Sequence, residues 1–298
     1  MATNTIAGAN LAAIAEMSIP TLVEAFAPLT AFTTDFSADI ARAGESVTTR
    51  FATKPTAQDL SSNYNASNSA MTAVTCTLNQ FRGYVWEFSD LERTKSVINL
   101  NDLFIEPAAA VVGATMFGHL WDLVVDANFA AADELVSLAA DFDRDDVALL
   151  AERLTIDGVP KTRRSLILHP THYGALSRDL NSVDVAGQSR TIGENIIPRL
   201  HGFDVYESPL CDGNSQNVVG LACHPSALMI AARGVDVPSV PGLEVQTVVI
   251  PELGLPVQFR RWYDANTGQL KYWMGVLYGV ASCTNSGARK AGRKIVTS

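Results

Sequence analysis

Val47-Thr-Thr-Arg-Phe-Ala-Thr53 and Val74-Thr-Cys-Thr-Leu-Asn79, with Asp59-Leu-Ser-Ser-Asn-Tyr-Asn-Ala-Ser-Asn-Ser69 between them, form the stretch on which the fold turns. Of the 36 residues 45–80, 16 are Ser, Thr or Asn and none is Gly, so the stretch is polar without being a run of turns. Its flanks alternate with the period of a strand: Val47, Thr49, Phe51 and Thr53 share one face, and Val74, Cys76 and Leu78 share one face of the return. The middle has no hydrophobic period. This pattern predicts a long two-stranded excursion with a soft polar tip. A two-stranded ribbon is marginal in isolation, and it is explained if it lies across another subunit.

Working outward, Tyr84, Trp86 and Phe88 keep period two after Gly83. Asn99-Leu-Asn101-Asp102 then supplies helix-capping chemistry and an acidic first turn. From residue 101 to about 131 the spacing predicts a long helix, roughly 45 Å at 1.5 Å per residue. Ala108, Ala109, Ala110, Gly113, Ala114 and Gly118 allow close backbone approach, while Phe117, Leu120, Trp121, Val124 and Val125 supply bulk. Pro107 fits only near the start or at a kink. Upstream, residues 1–43 hold two apolar patches, Leu11–Met17 and Leu22–Phe26, punctuated by Pro20 and Pro28. They predict an arm with short helical pieces. Leu11, Ile14, Leu22, Val23 and Phe26 are too few for a separate core and must dock on the rest of the chain or on a neighbour.

Downstream the chain alternates between helix and strand. Asp141-Phe-Asp-Arg-Asp-Asp146 predicts a helix start, followed by a short helix over Val147–Leu154. Ser165–Leu168 reads as a buried strand, Thr171–Leu180 as a helix, Phe203–Glu207 and Val218–Ala222 as strands, and Ala227–Ala232 as extended chain. A hairpin follows: Leu255–Tyr263, the loop Asp264-Ala-Asn-Thr-Gly268, and Leu270–Ala281. In its second strand Leu270, Tyr272, Met274, Val276, Tyr278 and Val280 share one face, and Trp273 and Leu277 make the other apolar too, which predicts burial on both sides.

Composition bounds the function classes. The chain has 298 residues, 47% hydrophobic and 18% charged, which excludes intrinsic disorder, and its 20 Gly and 13 Pro follow no collagen-like period. A chain this long buries roughly three quarters of its unfolded surface and needs no metal or disulfide to fold. Net charge is −9, divided unevenly between −11 in residues 1–143 and +2 in residues 144–298. An acidic chain is a poor sequence-specific DNA binder. The one dense basic run, Arg289, Lys290, Arg293 and Lys294, reads as a solvated tail. Cys76, Cys211, Cys223 and Cys283 form no CxxC pair and no basic segment precedes an apolar one at the N-terminus, so a reduced, cytosolic chain without a signal peptide is expected. The longest uncharged apolar stretch, Pro107–Trp121, is shorter than the ~20 residues of a membrane span.

Catalytic signatures are sparse. His169-Pro-Thr-His172 has a spacing that could ligate a metal, but Pro170 interrupts the helical path and no acidic residue takes the position of a general base. The acidic cluster Asp141–Asp146 lacks the Gly and the final Glu of a calcium loop. No GxGxxG, GxxxxGK[ST] or GxSxG occurs, and Cys223-His224 would diverge in an extended segment. Cys76 reads as a small apolar filler. No catalytic residue, cofactor or metal is expected, and a cytosolic enzyme centred on His169, His172 or Cys223 is the weakest alternative.

Taken in order, these segments resemble the major capsid proteins of tailed bacteriophages with the Hong Kong 97-type fold. Ser165-Leu-Ile-Leu-His-Pro170 is similar to that family's strand and Asn/His-Pro turn, and Leu200-His-Gly-Phe-Asp-Val-Tyr-Glu-Ser208 to its Gly-initiated strand. Val218-Val-Gly-Leu-Ala222 with Ala227-Leu-Met-Ile230 resembles the paired strands near the axial tip. The hairpin Pro256-Val-Gln-Phe-Arg-Arg-Trp-Tyr263 and Leu270-Lys-Tyr-Trp-Met-Gly-Val-Leu-Tyr-Gly279 resembles the podovirus-like branch. The resemblance covers nearly the whole chain. It implies an α+β fold with an N-terminal arm (1–43), an extended loop or E-loop (44–83), a peripheral domain with a spine helix (84–143), an axial domain (144–254), and a peripheral hairpin with a C-terminal tail (255–298).

The resemblance further implies a non-enzymatic coat protein that assembles as pentamers and hexamers into an icosahedral shell around double-stranded DNA, in the virion after assembly in the host cytoplasm. Implied partners are other copies of itself, a separate scaffolding protein, a portal, a decoration protein, and packaged DNA contacted non-specifically, with no membrane. Family E-loop charges meet a neighbour's peripheral domain, so Arg50, Phe51, Lys54, Asp59 and Arg82 are the contact candidates, with Arg260 or Arg261 as counter-surface. Lys54 is the only lysine of the loop and no covalent crosslink is expected. An encapsulin-like compartment shell is the alternative within the same fold.

Overall fold

The computed structural model describes residues 26–41, 46–52, 71–95, 100–182, 199–211, 214–250, 254–284 and 290–297, with the single positions Leu11, Ala15, Ser18, Ile19, Leu22 and Ile197. Lys54, the predicted tip Asp59–Ser69, Ile14, Val23 and Arg289 lie outside the described residues. In chain order the elements are β1 (Thr33–Ala41), β2 (Ser46–Ala52), β3 (Met71–Thr77), β4 (Gln80–Ser89), α1 (Asp90–Lys95), α2 (Leu100–Trp121), β5 (Leu135–Val136) and α3 (Arg144–Ile156). There follow β6 (Arg164–Leu168), α4 (Pro170–Ser182), β7 (Phe203–Glu207), β8 (Val218–Cys223), β9 (Leu228–Val235), β10 (Leu243–Val249), β11 (Pro256–Asp264), β12 (Gln269–Ser282) and β13 (Gly292–Val296).

β12 organises the larger sheet. β4 runs antiparallel to it from Gln269 to Tyr278, while on its other side β11 pairs with Gln269–Gly275 and β9 with Leu277–Ser282. β10 lies beyond β11, and β1 lies parallel to β9. Strand alternation places Tyr272, Met274, Val276 and Tyr278 on the face that carries Trp86, Phe88, Val257 and Phe259, and these join α2 in one core with Ala108, Ala109, Val112, Met116 and Leu120. The small residues of α2 let the helix lie close to the sheet. Leu11, Leu22 and Phe26 of the arm are buried in the same core, so the expected docking falls on this chain. The opposite face of β12 stays partly open, with Trp273 and Leu277 half-buried, against the expectation of burial on both sides.

The smaller sheet runs β5-β13-β8-β6-β7. Alternation divides it between two cores: Ile167, Leu221, Cys223 and Val296 belong to the core under α2, while Leu166, Leu168, Ala222 and Ile295 belong to a second core with α3 and α4. The ribbon β2–β3 stands apart in its pairing, with Val47 opposite Cys76 and Phe51 opposite Thr72. Its base rests on Met229, Ala231 and Cys283. A Cβ added at Gly279 would lie 2.1 Å from the Thr77 carbonyl oxygen, so glycine permits that approach of ribbon to sheet.

Three expectations are corrected. The long helix ends at Trp121, not near residue 131, because side chains intercept the next carbonyls: the distant Asn214 donates to the Val124 carbonyl at 2.8 Å and the local Asn128 to the Leu123 carbonyl at 2.8 Å. The arm is not only helical pieces, since residues 33–41 form a strand whose parallel partner is far away in sequence. Arg293 and Lys294 of the basic run are not a solvated tail: they sit in β13, between β5 and β8, 6% and 2% exposed. The chain passes from the smaller to the larger sheet between β8 and β9.

Candidate assembly surface

The outer face of the larger sheet, away from α2, is built in transverse rows. Strand register aligns Val245, Arg260, Trp273 and Val85 in one row, and Leu243, Trp262, Lys271 and Glu87 in the next. In a buried sheet the first row would be apolar throughout. Here the Arg260 guanidinium lies over the Trp273 ring, 4.4 Å from its centroid, and 5.8 Å from that of Phe81. The two rings are 5.3 Å apart. Arg260 donates through Nε and Nη2 to the Gln258 carboxamide oxygen at 3.1 and 2.7 Å, and no carboxylate pairs with it among the described residues. Burial lowers its pKa without neutralising it.

Beside this row opens a cleft of about 500 Å³, lined by Phe81, Val240, Pro241, Trp262, Tyr263 and Trp273 among others. Phe81 is 50% exposed and Val85 49%. Gly83 and Gly275 face each other under the Trp273 ring, and a Cβ at Gly275 would lie 2.3 Å from the ring's Cζ2. The tryptophan therefore lies flat across the sheet and presents its surface outward. Aromatic faces with a fixed cation and little charge compensation are the composition of an interface centre.

The candidates named from sequence divide as follows. Arg50 is exposed on the ribbon, opposite Ala73. Phe51 is half-buried and packs against the cluster at the ribbon's base, which gives it a role inside this chain. Arg82 is exposed and donates to Gln80 at 3.2 Å. Arg260 and Arg261 point to opposite faces. Arg261 is bound to Glu244 at 2.6 Å, and although burial works against its charge, that carboxylate holds its pKa above the ordinary value. Arg260 alone of the pair faces the cleft. Phe81, Trp262 and Tyr263 were missed; Phe81 lies on the face of β4 opposite to Tyr84, Trp86 and Phe88, so the alternation read after Gly83 did not include it.

The enzyme-like residues are held in structural roles. His169 ends β6 and its Nδ1 accepts from the Thr171 backbone N–H at 3.3 Å. His172 is buried, with Nε2 3.3 Å from the Ser137 carbonyl oxygen and the Phe142 ring against it edge-on. Burial pushes the Cys223 thiol up to about 12, the opposite of an activated nucleophile. Asp143 caps α3, accepting from the backbone N–H groups of Asp145 and Asp146 at 2.9 and 3.1 Å. Among the described residues no group of three His, Cys, Asp or Glu side chains converges to hold a metal, and no helix is long and apolar enough to cross a membrane.

No family model and no curated protein matches the sequence. Solved structures do match. The capsid structure of cyanophage P-SCSP1u aligns with a TM-score of 0.57 at 12% identity, over 90% of this chain and 86% of that one. The capsid of Ralstonia phage GP4 aligns with a TM-score of 0.57 at 10% identity, over 89% and 86%. The mature capsid of bacteriophage PhiM1 gives 0.57 at 11% identity, over 89% and 86%. The chain has the phage major-capsid fold. At such identities the likeness lies in the backbone path, and the capsid fold is reached here with largely different side chains.

Within this capsid fold the C-terminal charges serve the interior. Arg293 pairs with Asp133 at 2.7 Å and with Asp157; Lys294 pairs with Asp126 and with Glu134 at 3.0 Å. These carboxylates come from the connection after α2 and from the end of α3. The network fastens β13 to the connection that follows α2 and to the end of α3.

Proposed function

We propose that the protein is a structural coat subunit that self-assembles into the closed icosahedral head of a tailed phage, as pentamers and hexamers around double-stranded DNA. The observation that carries this reading is the pairing of a projecting two-stranded ribbon with an open aromatic cleft on one chain. Neither is closed by the described residues, and each supplies what the other lacks. In the assembled shell the loop between β2 and β3 of one subunit, with Lys54 and Asp59, crosses the outer face of its neighbour. Asp59 is the one carboxylate of residues 53–70, and no carboxylate pairs with Arg260 among the described residues, which gives the contact its charge register. Arg50 and Arg82 flank that path. Many such modest contacts add by avidity once the shell closes, and closed symmetry uses up apolar surface that would otherwise aggregate. Scaffolding, portal and decoration proteins, and DNA touched through its phosphates, complete the proposed set of partners. Assembly in the host cytoplasm and residence in the virion follow from this role.

The test is electron microscopy with light scattering of the concentrated chain, alone and with a co-expressed scaffold. Closed shells tens of nanometres across are expected. Arg260→Ala should lower shell yield several-fold while leaving circular dichroism and the melting temperature near wild type, because the residue is on the outer face. A monomer that never associates under either condition sinks the proposal. Shells filled with a protein cargo and no nucleic acid would reassign it to a compartment.

A further inference from the structure

β10 is the outermost strand beyond β11, and among the described residues nothing pairs with its other edge. Free edges are normally protected by charge, proline, bulges or brevity. The other outer strands of the two larger sheets follow that rule: β1 carries Asp35 and Asp39, β4 carries Arg82 and Glu87, β7 carries Asp204 and Glu207, and β5 has two residues. β10, Leu243-Glu-Val-Gln-Thr-Val-Val249, has no lysine, no proline and no bulge in its register with β11. Its single charge, Glu244, is held by Arg261 of the same chain. Val245 and Val249 are each 38% exposed. Such an edge is a template for another strand.

The direction of its peptide groups can be read from its ends. The Leu243 N–H turns away from β11 to the Val240 carbonyl at 3.1 Å, whereas the Ile250 N–H donates across the hairpin to the Leu255 carbonyl at 3.0 Å. By antiparallel alternation, the N–H and C=O groups of Val245, Thr247 and Val249 point outward and those of Gln246 and Val248 point to β11. Pro256, which has no N–H, sits opposite Val249, as that pattern requires.

We propose that β10 pairs antiparallel with β10 of a second copy about a two-fold axis through Gln246, making one sheet continuous across two subunits. Centred there, Val245 of each copy faces Thr247 of the other, and both present outward groups, so each pair closes two N–H···O=C bonds. Leu243 faces Val249, and Glu244 faces Val248. All seven residues of the strand are engaged, whereas a centre on any neighbouring residue leaves some unpaired. No like charges stand opposite each other, which would be destabilising. The outer face then gains a continuous apolar strip of Leu243, Val245, Thr247 and Val249 from both copies. The self-complementary register names a second copy as the occupant, and the contact is isologous. The proposal rests on the shell reading only in that both require a second copy.

Gln246→Cys tests it in the full chain. Two Gln246 positions facing each other across the axis form a non-hydrogen-bonded pair, with Cα atoms about 4.5 Å apart, inside disulfide reach. The native cysteines are all buried and stay silent. Mild oxidation should link Gln246→Cys into dimers several-fold more than Val249→Cys, a more exposed strand position whose copies lie far apart. Thr247→Pro removes one outward donor and spares the ladder to β11; added to Gln246→Cys it should abolish the link. Equal crosslinking of the two cysteine variants, or a link that survives Thr247→Pro, overturns the inference. Wild-type shells forming beside that result would leave the coat function standing, while a chain that never associates overturns both.

Discussion

His172 is 2% exposed, and its ring nitrogens face the Ser137 carbonyl and the Thr171 hydroxyl. Burial lowers its pKa from the ordinary 6.5; the nearby His169 adds to that, and the Ser137 carbonyl and Asp146 oppose it. The native fold therefore holds the neutral ring, and the unfolded chain takes up the proton first. Stability from this residue is complete above pH 6.5 and is lost as pH falls from 6.5 through the lowered native value. Asp146 acts with the opposite sign lower down, because burial raises its pKa. Urea midpoints measured from pH 7.5 to 5 should fall in the wild type and stay flatter in His172→Gln; equal slopes would assign the acid sensitivity elsewhere. Lys294 shows the contrasting outcome: burial opposes its charge, yet Asp126 and Glu134 outweigh it and hold the pKa above the ordinary ammonium value. What separates the two is a carboxylate in direct ion-pair contact.

Among the elements, the ribbon depends on one glycine. Gly279→Ala would bring a methyl into the Thr77 carbonyl, and backbone cannot yield as a flexible side chain does. The expected cost is about 1–3 kcal/mol, the usual range for overpacking, with faster proteolysis between β2 and β3; unchanged melting and cleavage would show that the ribbon is not held at this point. Elements with strong local pattern were legible in the sequence: β6, β7, β8, α4 and the β11–β12 hairpin fall within one or two residues of their expected ends. Those that depend on distant partners were not. β1 is a strand because β9 lies beside it, α2 stops where Asn214 meets it, and β13 looks like a charged tail until the four carboxylates around it are seen. At the assembly surface Arg260 and Arg261 were legible as candidates, but which of them faces outward is a matter of strand parity set by the register with β12. The aromatic floor beneath Arg260 was hidden for the same reason.

Over the whole molecule, the smaller sheet belongs to two cores at once. Ile295 and Val296 are neighbours in sequence and lie in different cores. Two lobes that share a sheet cannot melt separately without exposing its apolar face, so tryptophan fluorescence, which reports Trp86 and Trp121 in the first core together with Trp262 and Trp273 on the larger sheet, and hydrogen exchange at α3 and α4 in the second core should give coincident denaturant transitions. A lobe that opens first would contradict the shared core. β12 carries the same unity along its length. Its 14 residues extend about 48 Å at the strand rise of 3.4 Å, bonded first between β4 and β11 and then to β9. Tension applied along that axis loads its hydrogen bonds in parallel, all in shear, and none can be unzipped one at a time. A wall made of such subunits would bear internal pressure through its strands as a cable bears load, and would yield at the joints between subunits before any subunit tore.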